Sequence, residues 1–141
     1  MDRVLKWIGS VFTALMILTF ARVTQASSLA GFDAYGLASG VGNIYYQLPL
    51  SRDEALRISI YNVNQSIAYY GFYKLYYPIT RDGMTPYAEG GVGYAADGVA
   101  VAANVGIEIP VSIVIVDPYI GLVTGNGGTG YGIGLNIGLP F

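Results

Sequence analysis

Cysteine and histidine are both absent from this chain. The first absence excludes a disulfide framework and a thiolate metal site. The second removes the commonest general base and metal ligand, and with them any Ser-His-Asp or other histidine-dependent hydrolase mechanism. Charge is scarce too: Asp, Glu, Lys and Arg make up 11% of the residues, against roughly 25% in an ordinary soluble domain. Disorder does not explain the shortfall, because it needs low hydrophobicity and high net charge, whereas hydrophobic residues make up 53% and the formal net charge is -2. A helical bundle is disfavoured by 20 glycines and 13 tyrosines, which are poor in helix interiors. What remains, over 141 residues, is about one domain's worth of apolar, glycine- and tyrosine-rich chain.

The first segment reads as a targeting signal. Arg3 and Lys6 precede an uncharged run from Trp7 to Phe20, and Thr24-Gln25-Ala26 puts small residues where a signal peptidase reads them. Residues 1–26 are therefore expected to be a cleaved signal peptide, with the mature part, 27–141, outside the cytoplasm. A membrane anchor is the competing reading, but the run is shorter than the roughly 20 residues a spanning helix needs. After Ala26 the basic residues are Arg52, Arg57, Lys74 and Arg81, against eight acidic ones, which makes nucleic acid a poor partner.

Downstream, the hydrophobic period is two. Tyr131, Ile133, Leu135, Ile137, Leu139 and Phe141 alternate with Gly130, Gly132, Gly134, Asn136, Gly138 and Pro140, so one face is wholly apolar and the other nearly without side chains. Val99, Val101, Ala103, Val105, Ile107 and Ile109 likewise oppose Ala100, Ala102, Asn104, Gly106 and Glu108. Turn signals, among them Asp97-Gly98 and Asn126-Gly127, recur at intervals that suit strands of about 9 to 11 residues, the length that crosses a bilayer at a tilt. Strands are expected over 34–49, 55–63, 67–79, 85–95, 99–109, 113–124 and 129–141. A single-chain antiparallel barrel closes on an even number. The parity switch from Tyr35 and Leu37 to Ile44, Tyr46 and Leu48, across Ser39-Gly40-Val41-Gly42, marks either a bulge or a hairpin, and a hairpin there makes eight strands. The expected fold is an all-β, antiparallel up-and-down transmembrane β-barrel.

The leader, the two-residue meander, the Pro-Tyr strand openings at Pro86-Tyr87 and Pro118-Tyr119, the stretch Leu48-Pro49-Leu50-Ser51-Arg52 and the terminal Phe141 together resemble small outer-membrane β-barrel proteins of the OmpA and OmpX type. The resemblance covers essentially the whole mature chain and rests on compositional motifs. It implies an outer-membrane location, lipid as the surrounding partner, and a final strand read by the outer-membrane assembly machinery; Leu135, Ile137, Leu139 and Phe141 match that signal.

If the apolar faces meet lipid, Arg57, Lys74, Glu89 and Glu108 all point inward and are expected to pair across the lumen. The plain reading is a structural plug, and the sharper one a gated polar path or a small-ligand site. Glu89 and Glu108 as a glycosidase-like carboxylate pair lack a cleft-forming loop, and no helix or lysine follows Gly125 to Gly134 to make a phosphate loop. No catalytic residue, cofactor or metal is assigned. Tyr45, Tyr46, Tyr76 and Tyr77, near one set of strand ends, and Tyr35, Tyr61, Tyr69 and Tyr94, nearer the other, are expected as belts at the two membrane interfaces, where a phenol favours the headgroup region. The function expected is a non-catalytic, envelope-stabilising barrel. The alternatives are a soluble or peripheral periplasmic barrel with an apolar ligand in its lumen, a narrow pore, and a homo-oligomer sharing strands.

Overall fold

The computed structural model describes residues 28–35, 42–63, 66–77, 83–96 and 98–141, with helical positions 3, 4, 6, 7, 8 and 10. Most of the expected leader and its cut after Ala26 lie outside these residues, as do Ser39 to Val41, Leu37, Arg81, Asp82 and Asp97. None of the described helices is long and apolar enough to cross a membrane, which says nothing about strands.

Eight strands form one closed antiparallel barrel in sequence order: β1 (Leu29–Asp33), β2 (Gly42–Pro49), β3 (Glu54–Val63), β4 (Ser66–Tyr76), β5 (Thr85–Ala95), β6 (Gly98–Val111), β7 (Val114–Gly125) and β8 (Gly128–Pro140). Seven of them lie close to where the two-residue period puts them. The eighth comes from an unexpected place: β1 occupies Leu29–Asp33, upstream of the 34–49 segment, and the chain leaves the sheet at Ala34 and Tyr35. Five residues give too short a period to read, and β1 is fixed instead by its neighbours. Leu29 to Phe32 pair with β2, and Leu29 to Asp33 pair with the last strand.

The closure is staggered. Paired residues can be followed from Gly130 through Val123, Ala102, Gly91, Phe72, Arg57, Gln47 and Leu29, and the circuit returns to β8 at Pro140. With eight strands, that stagger tilts each by about 40° from the barrel axis. A ten-residue strand rising about 3.3 Å per residue then stands roughly 25 Å tall, the height of the apolar band on outer-membrane barrels. One rim, the termini end, carries Ser28, Phe141 and the turns at 50–53 and 112–113; Phe141 N–H donates to the Ser28 carbonyl at 3.1 Å. The other, the far end, carries the ends of β3, β5 and β7 and the starts of β4, β6 and β8. Gly98 and Gly128 open β6 and β8 there with φ of 108° and 106°, a region that disfavours any Cβ.

The strands alternate as their composition demands. Ile58, Tyr73, Val92, Val101, Val105, Ile120 and Ile133 face outward and are exposed, whereas Arg57, Lys74, Glu89, Asn104, Glu108, Asp117 and Asn136 face inward and are buried. Much of the inner space is filled by a ring on one strand lying over a glycine on the next. A Cβ added to Gly91 would meet Phe72, at Gly93 it would meet Tyr70, at Gly106 Tyr87, and at Gly134 Tyr119. Gly130 and Gly132, near the far end, have nothing within 4 Å of that position and are exposed.

Candidate functional site: the polar lumen

The barrel brings the four expected charges together as two pairs. In register Lys74 lies directly across from Glu89, yet neither bonds to the other. Arg57 on β3 contacts Glu89 on β5, passing over β4, and Lys74 on β4 reaches Glu108 on β6 at 3.2 Å, passing over β5. Both ion pairs therefore join strands two places apart round the wall. The Arg57 guanidinium carbon lies over the Phe72 ring, 4.6 Å from its centroid, and 5.5 Å from that of Tyr45. Such ring contacts suit a weakly hydrated guanidinium.

Around these pairs lie polar groups that the sequence reading did not single out. Lys74 donates to Gln47 at 3.0 Å and approaches Asp117 at 4.0 Å, and its ammonium stands 3.8 Å from the Tyr87 ring. The Tyr87 hydroxyl donates to Asp117 at 2.6 Å, and the Asn136 amide donates to the other Asp117 oxygen at 3.3 Å. Asn104 donates to Glu89 at 2.8 Å. Asp33 accepts from Tyr119 at 3.0 Å and from the Leu135 N–H at 3.2 Å, which ties the first strand to the last across the closing seam. The available signal was parity. Asp117 shares the face of Ile115 and Tyr119, and Gln47 that of Tyr45; a lone polar residue within an apolar strand marks its inward side.

Tyr45 and Tyr76 are corrected by the structure. Both are buried, at 6% and 7% exposure, and point into the lumen, as does Tyr61 on the face of Arg57 and Ser59, whereas Tyr46 and Tyr77 face out. Adjacent residues on a strand take opposite faces, so a Tyr-Tyr pair can place only one ring at an interface. The Tyr76 hydroxyl donates to Glu108 at 2.9 Å and accepts from Gln47 at 2.6 Å. Outward-facing Tyr46 packs on Phe141 at 5.4 Å between centroids. Leu135, Ile137 and Leu139 share the outer face of β8, with Leu139 and Phe141 well exposed.

Glu89 and Glu108 each face a different cation, so they do not form an acid and base poised over a common cleft. Among the described residues no three acidic groups cluster to hold a metal ion. The reversed parity that an apolar lumen would require is absent from the described strands. A cavity of about 870 Å³ borders Glu89, Asn104, Gly121 and Gly132 together with the outward-facing Ala88, Val105 and Ile133, so it is not confined to the lumen. Among the described residues, several buried polar atoms have no hydrogen-bond partner: both amide atoms of Asn43, Nε and Nη1 of Arg57, Glu89 Oε2 and Asn136 Oδ1.

Comparison of the chain with family models, with curated proteins and with solved structures finds no match in any of the three.

Proposed function

We propose that this chain is a small integral outer-membrane β-barrel, exported through its N-terminal leader, with a structural, envelope-stabilising role and no catalysis. One observation carries the reading. On the outward faces of the described strands the sole ionisable groups apart from tyrosine belong to Glu54, at the termini-end rim, while Asp33, Arg57, Lys74, Glu89, Glu108 and Asp117 are all buried inside. Water would not favour that arrangement, because an apolar wall of this extent is an aggregation hazard. Hydrocarbon would, since a closed barrel satisfies its backbone internally and a lipid-facing charge is costly. Tyr69, Tyr94 and Tyr131 project near the far rim and Tyr77 near the other, where an interfacial belt would want them.

A structural role is favoured over a conducting one because ion pairs and aromatic rings fill the termini-end half of the lumen. In this reading lipid is the surrounding partner. The outer-membrane assembly machinery would read the outward row Leu135, Ile137, Leu139 and Phe141.

The test is fractionation followed by a gel run with and without boiling. The protein is expected in the outer-membrane fraction, with an unboiled band that migrates differently from the boiled one. A protein soluble without detergent, with no such shift, would overturn the reading.

A further inference from the structure

Resting on the reading of the outer wall as lipid-facing, we infer that a groove in that wall holds one acyl chain of a membrane lipid from the far-end leaflet. The groove, of about 870 Å³, is lined by residues of β5, β6, β7 and β8 together with Tyr35 just after β1, and by none of β2, β3 or β4. A space inside so narrow a barrel would touch the opposite strands too, so this one opens outward. In register its outward lining forms two rows: Ala88, Val105, Ile120 and Ile133 make one, and Ala103, Leu122 and Tyr131 the other. The inward-facing Glu89, Asn104, Gly121 and Gly132 run between the rows, so the floor is backbone. Ala88 and Ala103 leave a hollow where Val105, Ile120, Leu122 and Ile133, between 40% and 63% exposed, stand up around it. The second row continues from Ala103 into Gly90, where nothing lies within 4 Å of a Cβ position.

Depth and chemistry select the occupant. Each register row descends towards the termini end as it passes from β8 to β5, because the circuit that leaves β8 at Gly130 returns to it at Pro140. Three inter-strand steps of about 4.8 Å, on strands tilted by about 40°, lower a row by roughly 9 Å, and the two residues from Tyr131 to Ile133 add about 5 Å. The groove therefore falls by about 14 Å from near the far rim, close to one leaflet, which is half of the roughly 30 Å hydrocarbon core. Its outward side chains are hydrocarbon apart from the phenols of Tyr35 and Tyr131, and the strands beneath them are paired, so a charged or polar occupant gains nothing there. Tyr131, 83% exposed at the upper end, sets a phenol where an ester-linked headgroup would sit. Inside hydrocarbon the drive is packing: a chain in a groove touches protein on several sides, whereas a convex wall offers it one.

The test is native mass spectrometry of the protein extracted from vesicles of dioleoylphosphatidylcholine, with a boiled and an unboiled gel of the same sample to establish that the barrel is closed. The expected result is a single lipid per chain that survives collision energies stripping the rest. Ala103→Phe, which fills the hollow, should lower that fraction about tenfold, the loss of roughly ten carbon–carbon contacts. Ile58→Phe, on the outer face of β3 and outside the groove, should leave it unchanged. Dioleoylphosphatidylglycerol should be retained equally well, since no charged side chain on the outward lining reads the headgroup. A closed barrel in vesicles that keeps no single lipid, or keeps it undiminished in a folded Ala103→Phe protein, would overturn the site while leaving the lipid-facing wall intact. Preference for the anionic lipid would do the same, as would a dimer that Ala103→Phe dissociates, which would put a second copy in the groove. A protein that never enters the vesicles would overturn the lipid-facing reading itself, and the site with it. Ala88→Phe provides the same test if Ala103→Phe fails to fold.

Discussion

Replacing Glu89 by glutamine should destabilise the barrel far more than the same change at Glu108, and the difference follows from how each cation is held. Arg57 is 0% exposed, and among the described residues Glu89 is its sole carboxylate partner within ion-pair distance. Glu89→Gln would keep an acceptor for Asn104 but leave a buried guanidinium uncompensated, a loss on the order of 3–5 kcal/mol. Lys74 is held differently: beyond Glu108 at 3.2 Å it has Asp117 at 4.0 Å, Gln47 at 3.0 Å and the face of Tyr87. Glu108→Gln therefore removes one charge-assisted bond from a group that retains a carboxylate, which costs about 1–3 kcal/mol. Adding Arg57→Met to Glu89→Gln removes the orphaned charge and should recover more than half of the single-variant loss. The assay is equilibrium urea unfolding of the barrel in lipid vesicles with linear extrapolation. Equal losses for the two glutamine variants, or a double variant as unstable as the sum of its singles, would refute the reasoning.

Gly134→Val drives a branched side chain into the Tyr119 ring and should reduce folded yield, whereas Gly130→Ala meets nothing within 4 Å and should be neutral or mildly stabilising; thermal unfolding separates the two. Val105→Arg, mid-strand on the outer face, should lose about 2–4 kcal/mol in vesicles if that face meets lipid, and a loss below about 0.5 kcal/mol, as for an ordinary surface site, would count against it. Deleting the terminal ring with Phe141→Ala removes its contact with Tyr46. It should lower the amount of barrel assembled in cells more than the stability of purified, refolded protein, which quantitative blotting set beside urea unfolding would reveal.

Much of the fold was legible because in β6 and β8 one period runs unbroken for the whole strand, from Val99 to Ile109 and from Tyr131 to Phe141. Once parity was known, burial of Arg57, Lys74, Glu89 and Glu108 followed from it. The pairing scheme was less legible, since contacts between β3 and β5 or β4 and β6 depend on barrel curvature and not on sequence spacing. Tyr45 and Tyr76 went astray because tyrosine serves equally as an interface residue and as an inward ring with a hydroxyl to satisfy. The filling of Gly91, Gly93 and Gly134 was invisible for a similar reason: each occupant comes from the neighbouring strand, so inter-strand register has to be known first. β1 was misplaced because five residues, one of them glycine, carry too little periodic signal, and its position is set by pairing with β2 and β8.

The central claim is that the outward face of the wall lies in lipid and the inward face does not. Because the chain has no cysteine, single-cysteine variants can be made one at a time at Val101, Ala102, Ala103, Asn104 and Val105 of β6. Each would be spin-labelled in vesicles and its accessibility to oxygen and to a water-soluble nickel chelate measured. Positions 101, 103 and 105 are expected to favour oxygen and positions 102 and 104 not to, with a period of two. Uniform accessibility along the strand, or a chelate preference at 101, 103 and 105, would contradict the claim.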